Sequence, residues 1–192
     1  MRSTGFIESG YSSQDSIYKE SKPIDLPERY MIKDRDAVYN QGSEGSCVSC
    51  SISEMYHFYR NFNPNSPSMK FNHLYKMRSN KDIDGMTPRE GFEIMKNEGR
   101  IRSYARIECI DDLMTSIISN GPSLIALPYC NDGDEFWKGT FRNMGHAVAV
   151  VGWNELNLII KNSWGIEYSD GGYIDFPKSM YDLVLESWTI IL

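Results

Sequence analysis

The hydrophobic period changes partway along this chain, and that change limits the folds open to it. Between Cys47 and Phe62 the run CVSCSISEMYHFYRNF has no glycine or proline, and Cys47, Cys50, Met55, Phe58, Tyr59 and Phe62 recur at helical intervals, which predicts a helix. TPREGFEIMKNEGR predicts a second one: Thr87 is the N-cap, Pro88 the first helical position, Glu90 follows the cap by three residues, and Gly99 closes it. Beyond residue 100 the pattern turns to sheet. RSYARIECI reads as a strand, DDLMTSIISNG as a short helix opened by Asp111 or Asp112 and stopped by Gly121, and PSLIALPYC as a buried strand. HAVAVVGW, LNLIIKNSW, GGYIDF and SWTIIL follow as strands, separated by turn signals at Asn154-Glu155 and Asp170-Gly171-Gly172. Helices first and strands later, with no internal repeat, point to an α+β fold with a cleft between two lobes.

The boundaries come from the turn formers. Residues 1–24 are polar and rich in Ser, Tyr and Gly, with Pro23 and Pro27 bracketing their end, and read as an extended arm. Residues 25–192 are then one domain, helical over about 37–105 and β-rich over about 106–192. NPNSPS, residues 63–68, is a break, and MKFNHLYKMRSN after it is a short helix or irregular turn. A 41% apolar content is enough to bury a shared core in 192 residues. The net charge of −6, with no basic block, argues against nucleic acid or an anionic membrane as partner. No signal-peptide core or membrane-length apolar run is present, and Cys47, Cys50, Cys109 and Cys130 lack the spacing of a disulfide framework. A reducing compartment is expected, cytoplasmic or associated with a virus or phage.

The chemistry concentrates in QGSEGSCVSC, residues 41–50. A C-x-x-C opening a helix suits a thiol–disulfide oxidoreductase as well as a single nucleophile, and the motif alone leaves both open, with core packing as the plain role for Cys50. A nucleophilic cysteine needs a base. His57 lies ten residues along the same helix, about 15 Å of rise from Cys47, and cannot reach it. His73 sits in a polar segment. His146 follows Met144-Gly145 and opens the most apolar strand, the mouth of a cleft. Sixteen residues on, Asn162 lies just past the next strand, where adjacent antiparallel strands would bring its amide oxygen to the imidazole. Trp164 could shield that bond from water.

In order along the chain, QGSEGSC, GHAVAVVGW and KNSWG with GGYI resemble the sequence blocks of papain-like cysteine peptidases. DRDAVYNQGS, DGMTPREGFEIMKNEG and the closing YIDFPKSMYDLVLESWTIIL are similar to the compact stand-alone members of bacteria, phages and viruses, so the likeness covers about residues 25–192. It implies a papain-like two-lobe fold and a cysteine endopeptidase with Cys47 as nucleophile, His146 as acid and base, Asn162 as orienting group and Gln41 as oxyanion donor. Gly85 and Met86, Gly145 and Trp164 would bind an extended polypeptide substrate. A monomer with no cofactor is expected, and no metal, because neither Cys109 nor Cys130 brings a second close ligand. Glu44 and Val48 depart from the usual cysteine and aromatic, which bears on substrate preference. Two other classes stand beside this one: an oxidoreductase using Cys47 and Cys50, and a papain-like transamidase, deamidase or non-catalytic binding module. The arm is too short for the family's long helical propeptide; either it partly covers the cleft or activity is limited by substrate access. Cys47 is expected to be a thiolate well below the ordinary thiol range, and Cys50 a buried, protonated thiol.

Overall fold

In the computed structural model, which describes residues 2–21, 24–33, 37–65, 67–140 and 144–192, the uninterrupted run after Ser46 is helix α1, Cys47–Phe62. Pro23, Ser66 and the Asp34–Asp36 start of DRDAVYNQGS lie outside the described residues. Every residue of α1 from Cys47 to Tyr56 is buried, so this helix is the shared wall of both halves rather than an amphipathic surface helix. Its serines do not spoil that burial. Ser49 Oγ donates to the Ser46 carbonyl at 2.8 Å and Ser51 Oγ to the Cys47 carbonyl at 3.0 Å.

Helix α2, Phe71–Met77, settles the ambiguous segment, and α3, Pro88–Asn97, starts as the sequence requires: Thr87 Oγ1 accepts the Glu90 N–H at 3.1 Å. Helix α4, Ile110–Asn120, differs at its start. Its N-cap is Cys109, while Asp111 and Asp112 sit inside the first turn, where their charges favour the helix dipole.

The strands form one antiparallel sheet. They are β1 (Tyr30–Met31), β2 (Ser103–Arg106), β3 (Ser123–Pro128), β4 (Gly145–Trp153), β5 (Asn157–Lys161), β6 (Tyr173–Pro177) and β7 (Glu186–Ile191). Their order is β2-β7-β3-β4-β5-β6, with β1 paired to β4. A short 3-10 helix, Lys178–Leu183, precedes β7. One core lies under α1, α2 and α3 and takes in Leu124, Ala147, Trp188 and Ile190 from the sheet; the other gathers α4 with Tyr129, Phe136, Trp137, Trp153 and Phe176. The α+β architecture is therefore the one the change of period demands. No helix among the described residues is long and apolar enough to cross a membrane.

An ion pair ties α1 to the sheet. Glu54 Oε1 meets Lys161 Nζ at 2.5 Å with side chains 4% and 1% exposed. Removing one partner of such a pair strands a buried charge, whereas an apolar pair of similar volume leaves none. Lys161→Met is expected to lower stability by about 3–5 kcal/mol, and Glu54→Leu with Lys161→Met to recover most of it. Denaturant unfolding checks both; equal stability of wild type and the single variant would refute the assignment.

Candidate active site

Two strands and one helix end meet at the site. Cys47 is the first residue of α1, His146 the second residue of β4, and Asn162 follows the last residue of β5. Because Lys161 pairs with Ala149 across the β4–β5 ladder, Asn162 stands beside the start of β4. Its Oδ1 lies 2.7 Å from His146 Nε2 and also accepts the Ser163 N–H at 2.7 Å. The other ring nitrogen, Nδ1, is buried and has no hydrogen-bond partner among the described residues. Trp164 stacks on the imidazole with centroids 4.3 Å apart and an interplanar angle of 16°, and Phe136 meets the ring edge-on at 5.0 Å. The imidazole has little freedom to turn.

The nucleophile candidate is held as firmly. Cys47 Sγ accepts the Ala147 N–H at 3.5 Å, and the Val48 and Cys47 N–H groups at the helix start also favour its anion. Gln41 N donates to Ser163 O at 2.9 Å; its side-chain Oε1 accepts Ser163 Oγ at 2.6 Å, and Nε2 donates to Glu44 O at 2.8 Å. Nε2 carries a second hydrogen, so one donor remains for a ligand. The loop between them is pinned from the far wall: Asp84 Oδ1 accepts the Gly45 N–H at 2.9 Å and the Tyr75 hydroxyl at 2.5 Å.

The arm lies in the cleft. Met86 N donates to Gly5 O at 3.0 Å, Ile7 N to Met86 O at 3.2 Å and Phe6 N to Gly145 O at 3.3 Å, so a parallel bridge to Met86 and an antiparallel one to Gly145 clamp Phe6 between the walls. Gly85, at φ +139, sits where any side chain would meet Gly5 O. The space over Gly145 is filled by the Phe6 ring. Trp164 Nε1 donates to Ser3 O at 3.0 Å, and the Arg2 guanidinium lies 4.1 Å from the Tyr168 ring centroid. All four residues read as substrate-binding, Gly85, Met86, Gly145 and Trp164, thus touch this chain's own arm.

Burial of the site has an electrostatic consequence. Cys47 and His146 are both 0% exposed. Burial pushes the Cys47 thiol up to about 12 against the three backbone donors that lower it, and pushes the imidazole down to about 4 despite Asn162. Between those values both groups are neutral. The low thiolate pKa expected from the sequence is therefore reversed in the covered cleft, because desolvation outweighs the helix end. Burial also raises Cys50 well above the ordinary thiol range. All four cysteines are free.

The other two histidines are elsewhere. His57 lies 3.2 Å from Tyr39 Oη and 3.4 Å from Met69 O, and His73 is 3.7 Å from Glu98 Oε1. No group of three or more His, Cys, Asp or Glu among the described residues could hold a metal ion. The sequence reading missed Phe136, Glu54 and Lys161. Glu54 carried a signal: seven residues after Cys47, it puts a charge on the buried face of α1.

Residues 95–186 match the family model described as papain family cysteine protease. A cysteine protease of the mite Blomia tropicalis is 26% identical over 88% of this chain and 51% of its own length, and mexicain of Jacaratia mexicana is 31% identical over 41% of this chain and 40% of its own. The chain spans about half the length, or less, of these curated relatives. Xylellain, a cysteine protease from Xylella fastidiosa, superposes with a TM-score of 0.83 at 20% identity, covering 99% of this chain and 96% of that one. The fold is papain-like. Part of the sequence and the architecture as a whole are thus similar to those of papain-like cysteine peptidases.

Proposed function

We propose that the chain is a cysteine endopeptidase acting on extended polypeptide, with Cys47 as nucleophile, His146 as acid and base, Asn162 as the group that orients the ring, and Gln41 as oxyanion donor. The observation that supports this is the 2.7 Å Asn162–His146 bond under a stacked Trp164, which holds the ring and leaves Nδ1 unpaired among the described residues, while Cys47 Sγ accepts the N–H of the next residue, Ala147. Once solvent or substrate replaces the arm, the desolvation that neutralises the pair falls, and the proton moves from Sγ to Nδ1. The thiolate attacks the peptide carbonyl and the electron pair passes to oxygen, which takes hydrogen bonds from the Cys47 N–H and the free hydrogen of Gln41 Nε2. Imidazolium returns its proton to the leaving amine, giving the thioester. Water, deprotonated by the same ring, then hydrolyses it and restores the thiol.

The test is peptide hydrolysis by the full chain and by Gln41→Ala, with cleavage products read by mass spectrometry. Loss of one oxyanion donor is expected to lower kcat by about 10²–10³ with KM little changed. An unchanged kcat removes Gln41 from the site. Disulfide exchange without hydrolysis would instead favour the Cys47–Cys50 reading.

A further inference from the structure

Farther along, at Ser9, Gly10 and Asp15, the arm is held by two arginines. Arg89, in the first turn of α3, forks onto Asp15, Nε to Oδ1 at 2.8 Å and Nη2 to Oδ2 at 2.6 Å. The same guanidinium donates to Ser9 O at 2.5 Å and to Gly10 O at 2.7 Å. Arg106, the last residue of β2, donates to Gly10 O at 3.0 Å and lies 3.7 Å from Asp15 Oδ2. Both guanidinia face the buried Trp188 ring, at 5.8 and 5.3 Å from its centroid.

Outside the arm, neither arginine has a hydrogen-bonded or ion-paired anion among the described residues. A cation in the first turn of a helix opposes the macrodipole, so Arg89 weakens α3 unless an anion offsets it. Bringing a second guanidinium to the same carboxylate oxygen adds repulsion that only an anion removes. Glu186 and Glu93 favour the Arg89 charge, but among the described residues no hydrogen bond or ion pair joins either to it; Glu186 instead accepts the Ser9 N–H at 2.5 Å and the Trp188 indole N–H at 2.9 Å. The Asp15 side chain is 4% exposed. Its hydrogen bond to Arg89 holds the carboxyl below its usual range, so the contact is ionic at neutral pH and is lost only as pH falls through that lowered value.

Backbone recognition continues from the same point. β2 is an edge strand, and the arm adds to its free side: Arg106 N donates to Ser16 O and Tyr18 N to Arg106 O, both at 2.8 Å, through a parallel bridge at Ile17. An exposed edge plus one side-chain receptor is a general mode of extended-peptide binding.

Resting on the peptidase reading, we propose that Arg89, Arg106, Trp188 and the β2 edge form a receptor for an acidic residue of an extended polypeptide substrate, occupied in cis by Asp15. Substrate and arm then compete for one site, and an acidic substrate opens the cleft that it enters.

The test uses full-length protein carrying Asp15→Asn and Cys47→Ala, with the fluorescein-labelled peptide GFIESGYSSQDSIY and its Asp→Asn counterpart as probes. The Asp peptide is expected to bind at least about tenfold more tightly, the range of a bidentate charge-assisted contact. Arg89→Gln, which removes the bidentate contact, should bring the ratio close to one, and Arg106→Gln, whose guanidinium is 3.7 Å from the carboxylate, should lower it by less. Arg89→Lys, which keeps the charge and loses the fork, should lower it without unfolding the protein, as thermal unfolding would verify. Equal affinity for the two peptides, or a ratio that survives the arginine changes, overturns the receptor. A preserved ratio in a protein whose Cys47-bearing form cleaves nothing would count against the peptidase and leave the receptor standing.

Discussion

Cys47→Ala and His146→Ala are each expected to lower kcat/KM for peptide hydrolysis by about 10⁴–10⁶, and the double variant by no more than the worse single one. Nucleophile and base act as one unit: without Sγ no thioester forms, and without the ring nothing takes the thiol proton or supplies one to the leaving amine. Asn162→Ala should cost less, because the imidazole survives between Trp164 and Phe136, at 4.3 and 5.0 Å, and loses only its hydrogen-bonded anchor. Steady-state rates with folding checked by circular dichroism decide the order. A folded Cys47→Ala variant with undiminished hydrolysis would end the mechanism.

Much of this site is legible in local sequence pattern. α1 begins and ends where the glycine-free run does, and the alternation from His146 onward forms β4 with the histidine near its mouth. Asn162 could be paired with His146 because the two lie on adjacent strands joined by a tight turn, but the bulge between Val150 and Gly152, which shifts the register by one residue, has no signal in the spacing. What stayed hidden depends on distant partners. The two-residue β1 has no periodic signal, and its pairing with β4 joins Tyr30 to Trp153. Cys109 caps α4 by backbone geometry alone, which composition does not display. Lys161 looks like the end of a strand until Glu54, on another element, is found 2.5 Å from it. The arm is the largest case. Its polar residues correctly read as non-helical, but Asp15 gains meaning only from Arg89 and Arg106, which nothing local connects to it.

Gly5→Val should speed alkylation of Cys47 at about pH 5.5 by roughly 100-fold or more, since an uncovered cysteine paired with histidine at a helix start keeps its thiolate at that pH and a neutral, buried one does not. The substitution acts on the arm without touching the groups that react: a Cβ at position 5 would run into the Gly45 backbone, which is the loop fixed by Asp84 and cannot give way as a flexible side chain could. Displacing the arm is expected to lessen desolvation, the largest cause of the thiol's rise to about 12 and of the imidazole's fall to about 4, while the Ala147, Val48 and Cys47 N–H donors stay in place. The balance then reverses, and thiolate with imidazolium becomes the favoured pair. Cys50 provides an internal control. It is 1% exposed within α1, with a thiol raised by burial, so its labelling should stay slow in both proteins. Peptide mapping after a timed pulse of iodoacetamide locates the label, and His146→Ala in the Gly5→Val protein should suppress the gain. Equal labelling of Cys47 in wild type and Gly5→Val would mean that the arm does not govern the nucleophile, and labelling of Cys47 and Cys50 at similar rates would point to dithiol chemistry instead.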